Sequence, residues 1–284
     1  MKISASIVTY KTPARDLERV LESALSSPIE KLYIIDHSPG REVESFFIDS
    51  KDEASSALSR LLTDERVVYE RHPNRGYGAG HNIAIRKSQK DNFIYHAVLN
   101  PDIYWDDPVI SVLSDYMEGH PEVGMMAPKV LYPDGRLQKN CKLLPTPLDS
   151  FGRRFLPKRL YAGRNERYEL GFADFNEIMN VPYLTGCFML IRNRAFKEAG
   201  LFDERFFMYP EDIDLTRRLH KKYPTLYYPD VKIYHRLEQA SGKSLKMLFI
   251  HICNMMKYYF KWGWWIDAER RRFNRRVIET YGKK

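Results

Sequence analysis

The segment Phe207-Met208-Tyr209-Pro210-Glu211-Asp212-Ile213-Asp214-Leu215 places three carboxylates within four residues, after an aromatic run and before a basic stretch. Pro210 suits the first turn of a helix, where its missing N–H is not needed, so Glu211 and Asp212 fall at a helix N-terminus. The helix dipole favours negative charge there, so capping alone would explain acids at these positions. A carboxylate held near aromatic rings, however, acquires the raised pKa of a general base. The Glu-Asp pair therefore indicates a catalytic base, whereas for Asp214 the capping role stays equally open.

Length, composition and cysteine content limit the class of protein. The 284 residues suffice for one large domain, and an apolar share of 44% excludes a disordered chain. The three cysteines form no C-x-x-C pair, which argues against a disulfide framework or a zinc site. The N-terminus runs directly into a strand-like segment, so no signal peptide is predicted and we expect a cytoplasmic protein.

Strand-like and helix-like segments alternate along the first 120 residues. The predicted strands are 3–9, 31–36, 66–71 and 93–99, and the predicted helices are 13–25, 52–63, 77–88 and 108–119. This alternation indicates βαβ units and a parallel sheet. In such sheets the ligand binds beyond the carboxyl ends of the strands. The residues at those ends are Tyr10, Asp36, the loop 72–76 and 100–102.

The pattern changes after residue 129. Residues 132–136 predict a hairpin turn. Residues 141–177 have weak periodicity, and we interpret them as a long excursion over the active face, with a loop of no function as the alternative. The apolar segment 181–192 predicts one strand, and 226–235 predicts a last strand that ends in His235.

Three further motifs carry polar groups that suit a phosphorylated ligand. Asn100-Pro101-Asp102 puts a carboxylate at a strand end, where it would suit Mg²⁺ or Mn²⁺, although the triplet is also a common turn. The loop 73–82 has three glycines at a helix start, which would admit a phosphate or would simply allow close packing. His235 is followed by Ser241-Gly242-Lys243-Ser244, a small Lys-bearing turn that could hold a diphosphate.

These motifs occur in a recognisable order. They are Val8-Thr9-Tyr10, Asp36, Asn74-Arg75-Gly76-Tyr77-Gly78, Asn100-Pro101-Asp102, Thr185-Gly186-Cys187, the segment 200–215 and His235. The sequence resembles family 2 glycosyltransferases of the GT-A fold, on the rhamnosyltransferase-like branch. The resemblance implies an α/β fold, with a Rossmann-like, mixed but mainly parallel sheet flanked by helices.

The resemblance also implies roles for individual residues. Thr9, Tyr10 and Asp36 would hold the nucleoside, with Asp36 accepting from a pyrimidine N3–H. Asp102, as the last acid of the family's D-x-D motif, would bind Mg²⁺ or Mn²⁺ together with His235. Asp212 would be the catalytic base, with Glu211 as the second candidate. The remaining donor-binding candidates are Arg75, Gly76, Asn82, Asn100 and Lys243. Asn100 departs from the family by replacing the first acid of D-x-D.

The implied reaction is an inverting displacement. A sugar would pass from a nucleotide-diphosphate donor, dTDP-rhamnose by branch resemblance, to a hydroxyl of a surface-glycan or lipid-linked saccharide. Donors of the UDP-hexose or UDP-galactofuranose type remain alternatives. A sugar-nucleotide pyrophosphorylase is disfavoured because residues 9–13 lack its Gly-rich basic loop. A catalytically inactive, membrane-peripheral binding module on the same fold is disfavoured by the intact Glu211-Asp212 pair.

The C-terminal segment differs in composition from the rest. From Lys243 onward 11 Lys/Arg face 3 Asp/Glu, a net of +8, so residues 1–242 are neutral. We therefore expect a transferase domain over 1–242 and a C-terminal helical appendage, basic and aromatic, over 243–284. Basic residues interrupt its apolar run, so it suits the surface of an anionic membrane rather than a span. Packing on the catalytic domain or a homodimer contact are the alternatives, and a nucleic-acid partner is not expected.

Overall fold

The computed structural model describes residues 1–48, 53–152, 157–236 and 245–282. Strands and helices alternate through its first part, as the hydrophobic pattern predicts. The elements are β1 (Ile3–Thr9), α1 (Ala14–Leu25), β2 (Lys31–Asp36), α2 (Glu42–Ile48), α3 (Glu53–Leu62), β3 (Val67–Arg71), α4 (Tyr77–Lys90), β4 (Tyr95–Leu99), β5 (Ile103–Tyr104) and α5 (Val109–Gly119).

All seven residues of β1 are buried, because helices cover both faces of the sheet at this strand. Ile3 and Ile7 lie on one face and share a core cluster with Leu17 of α1. Val8 points to the other face and packs with Ala84 of α4. This alternation follows from the two-residue period of a strand and explains why β1 is buried on both faces, although Ser4, Ser6 and Thr9 are polar.

The second part of the chain completes the sheet and adds short elements. These are β6 (Met125–Leu131), β7 (Cys141–Lys142), a π-helical turn (Leu148–Gly152), α6 (Lys158–Tyr168), β8 (Met179–Asn180), β9 (Tyr183–Leu184), β10 (Phe188–Arg192), α7 (Asn193–Ala199), α8 (Glu211–His220) and β11 (Thr225–His235). The main sheet has the order β3-β2-β1-β4-β10-β6-β11-β5. Strands β1 to β4 are parallel, and β10 runs antiparallel to both of its neighbours. The predicted mixed, mainly parallel sheet is therefore confirmed.

The register aligns the carboxyl ends of the first strands. Thr9 lies opposite Asp36, and Asp36 lies opposite Arg71. On the other side of β1, Ile7 lies opposite Leu99, which brings Asn100 to the same edge. The sequence predicted this edge correctly, because the carboxyl ends of parallel strands meet on one side of a sheet.

The prediction of one strand over 181–192 is wrong. The chain forms β9 and β10 with a break at 185–187, and β9 pairs with β7 in a separate two-stranded sheet. Apolar residues on both sides of the break hid it, since periodicity alone does not reveal an irregular turn inside an apolar run. The hairpin turn at 132–136 is confirmed, with the N–H of Tyr132 donating to the carbonyl of Arg136 at 2.8 Å.

Two helices, α9 (Leu245–Trp262) and α10 (Ala268–Tyr281), form the C-terminal segment. Met255, Tyr258, Tyr259 and Phe273 share one buried cluster with residues of the body. The body contributes Leu144, Tyr183, Phe206 and Ile213. One face of this segment thus packs on the rest of the molecule. The predicted boundary at residue 242 falls outside the described residues and stays a prediction.

A buried ion pair fixes α10 to the body. Arg217 of α8, 1% exposed, donates to both carboxylate oxygens of Asp267 at 2.7 Å and to Glu269 at 3.0 Å. Its guanidinium also lies over the Trp262 ring, 4.0 Å from the centroid. None of the helices within the described ranges combines the length and the hydropathy needed to cross a membrane.

Candidate active site

Asp36 ends β2 at the carboxyl edge of the sheet and is fully buried. Its Oδ1 accepts hydrogen bonds from the Thr9 hydroxyl and from the backbone N–H of Ser38, both at 2.9 Å. Its Oδ2 accepts from the Tyr69 hydroxyl at 2.9 Å. All three donors are neutral, and no described Lys or Arg forms an ion pair with this carboxylate. Its negative charge is therefore held in place by hydrogen bonds but not cancelled.

A groove of about 500 Å³ lies beside Asp36 at the strand ends. Tyr10, whose side chain is 53% exposed, offers a ring at its margin, whereas Thr9 is buried beneath. Sequence reasoning named the loop 72–76, which contributes His72, but missed three other residues that line this groove: His37, Ser38 and Arg71. The signal for them was available, because His37 and Ser38 are the first two residues after Asp36 and Arg71 ends β3. We call this space the strand-end groove.

The glycine loop serves close packing. Gly76 has φ +105°, and a Cβ there would lie 2.3 Å from the carbonyl oxygen of Phe207. The N–H of Tyr77 donates to the same carbonyl at 3.0 Å. A Cβ on Gly78 would lie 2.7 Å from that of Phe202. Both glycines therefore let α4 contact the segment 202–207 directly, which accounts for them without a phosphate.

The other two candidates of this region have different surroundings. Arg75 is exposed on the loop. Asn82 is only 1% exposed, and its Nδ2 donates to the carbonyl of Phe202 and to Glu204, both at 2.9 Å. Its Oδ1 accepts from the N–H of Phe202 at 3.0 Å. Asn82 thus joins α4 to the segment before the Glu-Asp pair, so we reassign it from donor binding to a structural role.

Asp102 and His235 form a pair at the other end of the edge. Their Oδ1 and Nε2 atoms are 3.4 Å apart, and the amide of Asn100 lies 3.4 Å from the same Nε2. Nδ1 of His235 lies 2.6 Å from Oε1 of Gln138 and donates to it. Burial lowers the pKa of His235, but Cys187 and Asp102 outweigh it and raise the pKa to about 10, so a cation that binds here would displace the proton on Nε2. A histidine that donates its second N–H to an oxygen is the usual arrangement of a metal ligand.

These residues fit a divalent cation that also binds a phosphorylated substrate. In the part of the chain that the structure describes, no group of three or more His, Cys, Asp or Glu side chains could enclose a metal ion. One carboxylate and one imidazole suffice where substrate phosphates complete the coordination, as is usual for Mg²⁺. The donor set therefore matches a metal shared with a diphosphate rather than a closed structural site.

Asp212 lies in the first turn of α8, which begins at Glu211 as predicted. Its Oδ2 accepts from the N–H of Gly186 at 3.0 Å, and the Tyr183 hydroxyl lies 3.5 Å away. Its Oδ1 accepts from the N–H of Ile213 at 2.7 Å. Asp212 is half-buried, whereas Glu211 is 4% exposed. An incoming molecule can therefore reach the carboxylate of Asp212 more easily.

The two acids also differ in protonation. Burial raises the pKa of Asp212 to about 6, although the N–H of Gly186 opposes the shift. Burial, and then the charge of Asp212, raise the pKa of Glu211 well above its usual range. Among the described residues Oε2 of Glu211 has no hydrogen-bond partner. At neutral pH Asp212 carries the charge and Glu211 holds its proton.

The break between β9 and β10 connects the two acidic ends of the site. Gly186 donates to Asp212, and the Tyr77 hydroxyl donates to the Gly186 carbonyl at 2.7 Å. The N–H of Asn100 donates to the carbonyl of Cys187 at 2.9 Å. Burial raises the pKa of Tyr77 most, and the negative charges of nearby groups, among them Asp212 and Asp102, raise it further. Asp102 and Asp212 therefore both lie near Tyr77, and the segment 185–187 links the strand end that carries Asn100 to Asp212.

Asp214, whose role the sequence left open, is a structural residue. It is fully buried, and Oδ1 accepts from Lys261 at 2.6 Å and from the Trp262 indole at 2.7 Å. Oδ2 accepts from Arg218 at 2.9 Å. Asp214 thus ties α8 to α9. The remaining candidate, Lys243, lies outside the described residues.

The family model for glycosyl transferase family 2 matches residues 4–200. The chain belongs to this family. Its enzymes transfer glycosyl groups, and this chain is accordingly a glycosyltransferase. The matched range contains Asp36 and Asp102 and ends before α8. The role of Asp212 is therefore supported by the geometry of the site and not by the family match.

One curated relative is the N-acetylglucosaminyl-diphospho-decaprenol L-rhamnosyltransferase of Mycobacterium tuberculosis. It is 27% identical, over 74% of this chain and 76% of the relative. The predicted rhamnosyltransferase-like branch agrees with this similarity.

Solved glycosyltransferases share the fold at low identity. GalNAc-T7, solved with UDP, GalNAc and Mn²⁺, is 15% identical with a TM-score of 0.57, and covers 100% of this chain and 48% of its own. The mannosyltransferase PcManGT from Pyrobaculum calidifontis, solved with GDP-Man and Mn²⁺, is 13% identical with a TM-score of 0.53. The match covers 90% of this chain and 64% of PcManGT. S. aureus TarS is 12% identical with a TM-score of 0.52, and the match covers 90% of this chain and 40% of TarS. This chain thus spans less than half of TarS and of GalNAc-T7. The GT-A prediction is confirmed.

Proposed function

We propose that this protein transfers a rhamnosyl group from dTDP-rhamnose to a hydroxyl of a lipid-linked saccharide. The observation that carries the proposal is the arrangement around Tyr77 and the segment 185–187, which places the carboxylate of Asp212 and the Asp102–His235 pair in one region of the molecule. Sugar transfer requires a base for the acceptor hydroxyl and a site that stabilises a leaving diphosphate, and these two groups supply them.

Asp212 acts as the general base. It accepts the proton of the acceptor hydroxyl while that oxygen bonds to the anomeric carbon and the bond to the diphosphate breaks, which inverts the configuration. The Gly186 N–H at 3.0 Å orients the carboxylate for this step. Glu211 stays protonated and buried, which supports Asp212 rather than Glu211 in the role. Base catalysis of this kind contributes on the order of 10²–10⁴-fold.

Asp102 and His235 would hold Mg²⁺ or Mn²⁺ beside the donor diphosphate. A divalent cation at this position neutralises the charge that develops on the leaving group. The Mn²⁺ in the GalNAc-T7 and PcManGT structures supports a metal of this kind. Asn100 orients the pair through its amide, which is a weaker contribution than a second carboxylate.

The strand-end groove would hold the nucleoside. Tyr10 would stack on the base, and Asp36, held by Thr9 and Tyr69, would accept from the N3–H of a pyrimidine. Arg75, exposed on the loop, and Arg71, in the groove lining, would contact phosphate oxygens, and Gly76 contributes by its packing. Lys243 stays a donor-binding candidate from the resemblance alone.

The choice of donor and acceptor rests on the mycobacterial relative, whose printed name specifies rhamnosyl transfer to an N-acetylglucosaminyl-diphospho lipid. UDP-hexose and UDP-galactofuranose donors are the alternatives, since a pyrimidine site accepts uracil as well as thymine. The carboxylate of Asp212, oriented by the N–H of Gly186, disfavours a catalytically inactive binding module.

The C-terminal helices suit the surface of an anionic membrane. Leu245, Phe249, Met256 and Phe260 recur along one exposed stripe of α9, and Lys246 flanks it. Such a face inserts into the headgroup region while basic residues contact anionic lipids. The free thiols of Cys141, Cys187 and Cys253 fit a reducing compartment, so we assign the protein to the cytoplasmic face of the membrane. A homodimer contact through the same exposed stripe of α9 is the alternative to membrane binding.

A panel of nucleotide sugars tests the proposal. Because a ligand that binds the native state raises the melting temperature, dTDP-rhamnose with Mn²⁺ should raise it most. Transfer to an N-acetylglucosaminyl-diphospho lipid, with the product anomer assigned by NMR, tests the reaction. A response to UDP-hexoses alone would replace the donor, and binding without any transfer would favour the inactive module.

A further inference from the structure

The chain that leads into α8 determines where the catalytic base lies. Residues 203–210, which we call the base segment, run through turns and bends directly before Glu211 and Asp212. Within it Tyr209 has φ +92°, a left-handed backbone conformation that is strained for a residue with a Cβ. Such a conformation persists only where the surroundings hold the backbone in place. The position of Asp212 therefore depends on what contacts the base segment.

The glycine loop holds one side of the base segment. The N–H of Tyr77 donates to the carbonyl of Phe207 at 3.0 Å, and Gly76 allows this close approach. This contact fixes the segment at one residue only. The carbonyls of Arg205 and Met208, on either side of Phe207, accept hydrogen bonds from another element.

That element is α9, on the C-terminal segment. Nδ2 of Asn254 donates to the carbonyl of Met208 at 3.0 Å, and Nζ of Lys257 donates to the carbonyl of Arg205 at 3.0 Å. Lys257 lies one helical turn after Asn254, and its Nζ also donates to Oδ1 of Asn254 at 3.2 Å. Asn254 is 2% exposed, so water cannot replace its amide at the carbonyl without a rearrangement of the helix.

Ring contacts from the same helix accompany these hydrogen bonds. The ring of His251, three residues before Asn254, lies edge-on to the ring of Tyr209, with 4.6 Å between the centroids. Phe206 and Tyr258 are buried in one cluster. One face of α9 thus contacts the base segment through both hydrogen bonds and packed rings, and it includes the residue with the strained backbone.

We infer that Asn254 is a positioning residue for the catalytic base, with Lys257 as its support. The carbonyl that Asn254 holds lies four residues before Asp212 in the chain, so a shift of this carbonyl moves the first turn of α8. The carboxylate then loses its orientation against the N–H of Gly186 and toward the acceptor hydroxyl. The inference rests on the proposed function for the role of Asp212, but the contact itself can be tested without catalysis.

The chain offers a matched control on α10. Asn274 donates through Nδ2 to the carbonyl of Leu144 at 2.9 Å and accepts from the N–H of the same residue at 2.8 Å. It ties the C-terminal segment to a part of the molecule outside the base segment. Asn254→Ala and Asn274→Ala each remove an amide that donates to a backbone carbonyl, so their comparison separates positioning of the base from anchoring of the helices.

Steady-state kinetics provide the first test. Asn254→Ala should lower kcat by about tenfold or more, because a displaced base is poorly aligned for the proton transfer. The donor KM should stay unchanged, since the strand-end groove is lined by residues of the strand ends and their loops. Asn274→Ala should keep kcat within about twofold of wild type. An equal loss of kcat in Asn274→Ala would overturn the inference.

A second variant guards against a simple folding defect. Asn254→Asp keeps the side-chain volume and the contact with Lys257, but it puts an acceptor in place of the donor to Met208. It should therefore melt near the wild-type temperature and still lose kcat. Wild-type kcat in both Asn254 variants would overturn the inference.

A double variant identifies the group through which Asn254 acts. If it acts through Asp212, then Asp212→Asn/Asn254→Ala should have the same residual kcat as Asp212→Asn alone, because the two effects are not additive. A further loss of about tenfold in the double variant would overturn the inference, since Asn254 would then act independently of the base.

Hydrogen exchange tests the contact without catalysis. In the full-length protein without substrate, Asn254→Ala should speed amide exchange in peptides from residues 203–214 by about tenfold, and Asn274→Ala should leave these peptides as in the wild type. Unchanged exchange in Asn254→Ala would overturn the inference. If no transfer is found with any acceptor, the proposed function fails, and hydrogen exchange still decides whether Asn254 holds the base segment.

Discussion

Two fully buried carboxylates, Asp36 and Asp214, have opposite surroundings. Within the described part of the chain, the donors to Asp36 are the neutral groups of Thr9, Ser38 and Tyr69. Asp214 accepts from the cations Arg218 and Lys261 and from the Trp262 indole. A buried charge without a cation is costly unless a ligand uses it, whereas a charge that is paired on both oxygens holds elements together. The comparison separates the ligand edge of the sheet from the contact between α8 and the C-terminal helices.

The largest expected effect belongs to a third acid, Asp212, which is half-buried and lies between these two extremes. Asp212→Asn should lower kcat by about 10²–10⁴-fold, because the amide cannot take the acceptor proton. Donor affinity should stay near wild type, as measured by calorimetry with dTDP-rhamnose. Glu211→Gln is the matched control and should retain most activity. Full activity in Asp212→Asn would exclude it as the base.

Asp214→Asn should lower the free energy of unfolding by about 3 kcal/mol, because it leaves Arg218 without its carboxylate partner in a buried contact, whereas Lys261 keeps its ion pair with Asp203. Urea denaturation measures this loss. The effect on donor affinity should be small. If the variant kept wild-type stability, the salt bridges to α9 would not hold the helices together and the contrast with Asp36 would fail.

Asp36→Asn should change donor affinity rather than stability. A charge-assisted hydrogen bond to the base would become a neutral one, which costs about 1.5–3 kcal/mol of binding, or roughly 10–100-fold in Kd. The same titration with dTDP-rhamnose measures it, and urea denaturation should show little change. Tyr69→Phe removes one donor to the same carboxylate and should have a smaller effect. Loss of stability without loss of affinity would make Asp36 a structural residue like Asp214.

The smallest effect is a pH dependence. A base must be deprotonated, and the folded-state pKa of Asp212 is raised to about 6. Activity should therefore be complete above this pH and fall about tenfold per unit as the pH drops below it. The profile of kcat/KM from pH 4.5 to 8 measures this limb. The residual activity of Asp212→Asn should lack it, and a limb that persisted there would belong to another group.

The ligand edge was largely predictable from the sequence. Four apolar strands with intervening helices place Thr9, Asp36 and Asn100 at strand ends by topology alone. The Glu-Asp pair was predictable because Pro210 marks a helix start.

The contact with the C-terminal helices was not predictable. The ion pair between Arg217 and Asp267 joins residues 50 positions apart. A basic, aromatic helix also has the same sequence pattern whether it packs on the body or lies exposed. The roles of Gly76 and Asn82 also depended on tertiary contacts with Phe207 and Phe202. The break at 185–187 was hidden within an apolar run, although Gly186 is what orients Asp212.

The position of Gly76 against Phe207 has a consequence for engineering new sugar specificity. With 2.3 Å between a hypothetical Cβ and that carbonyl, the donor-side loop and the segment leading to the base have no independent freedom. Exchange of either piece with one from another transferase would force the two backbones apart. Segments 74–78 and 202–212 should therefore be transplanted together, as one unit from the same donor protein.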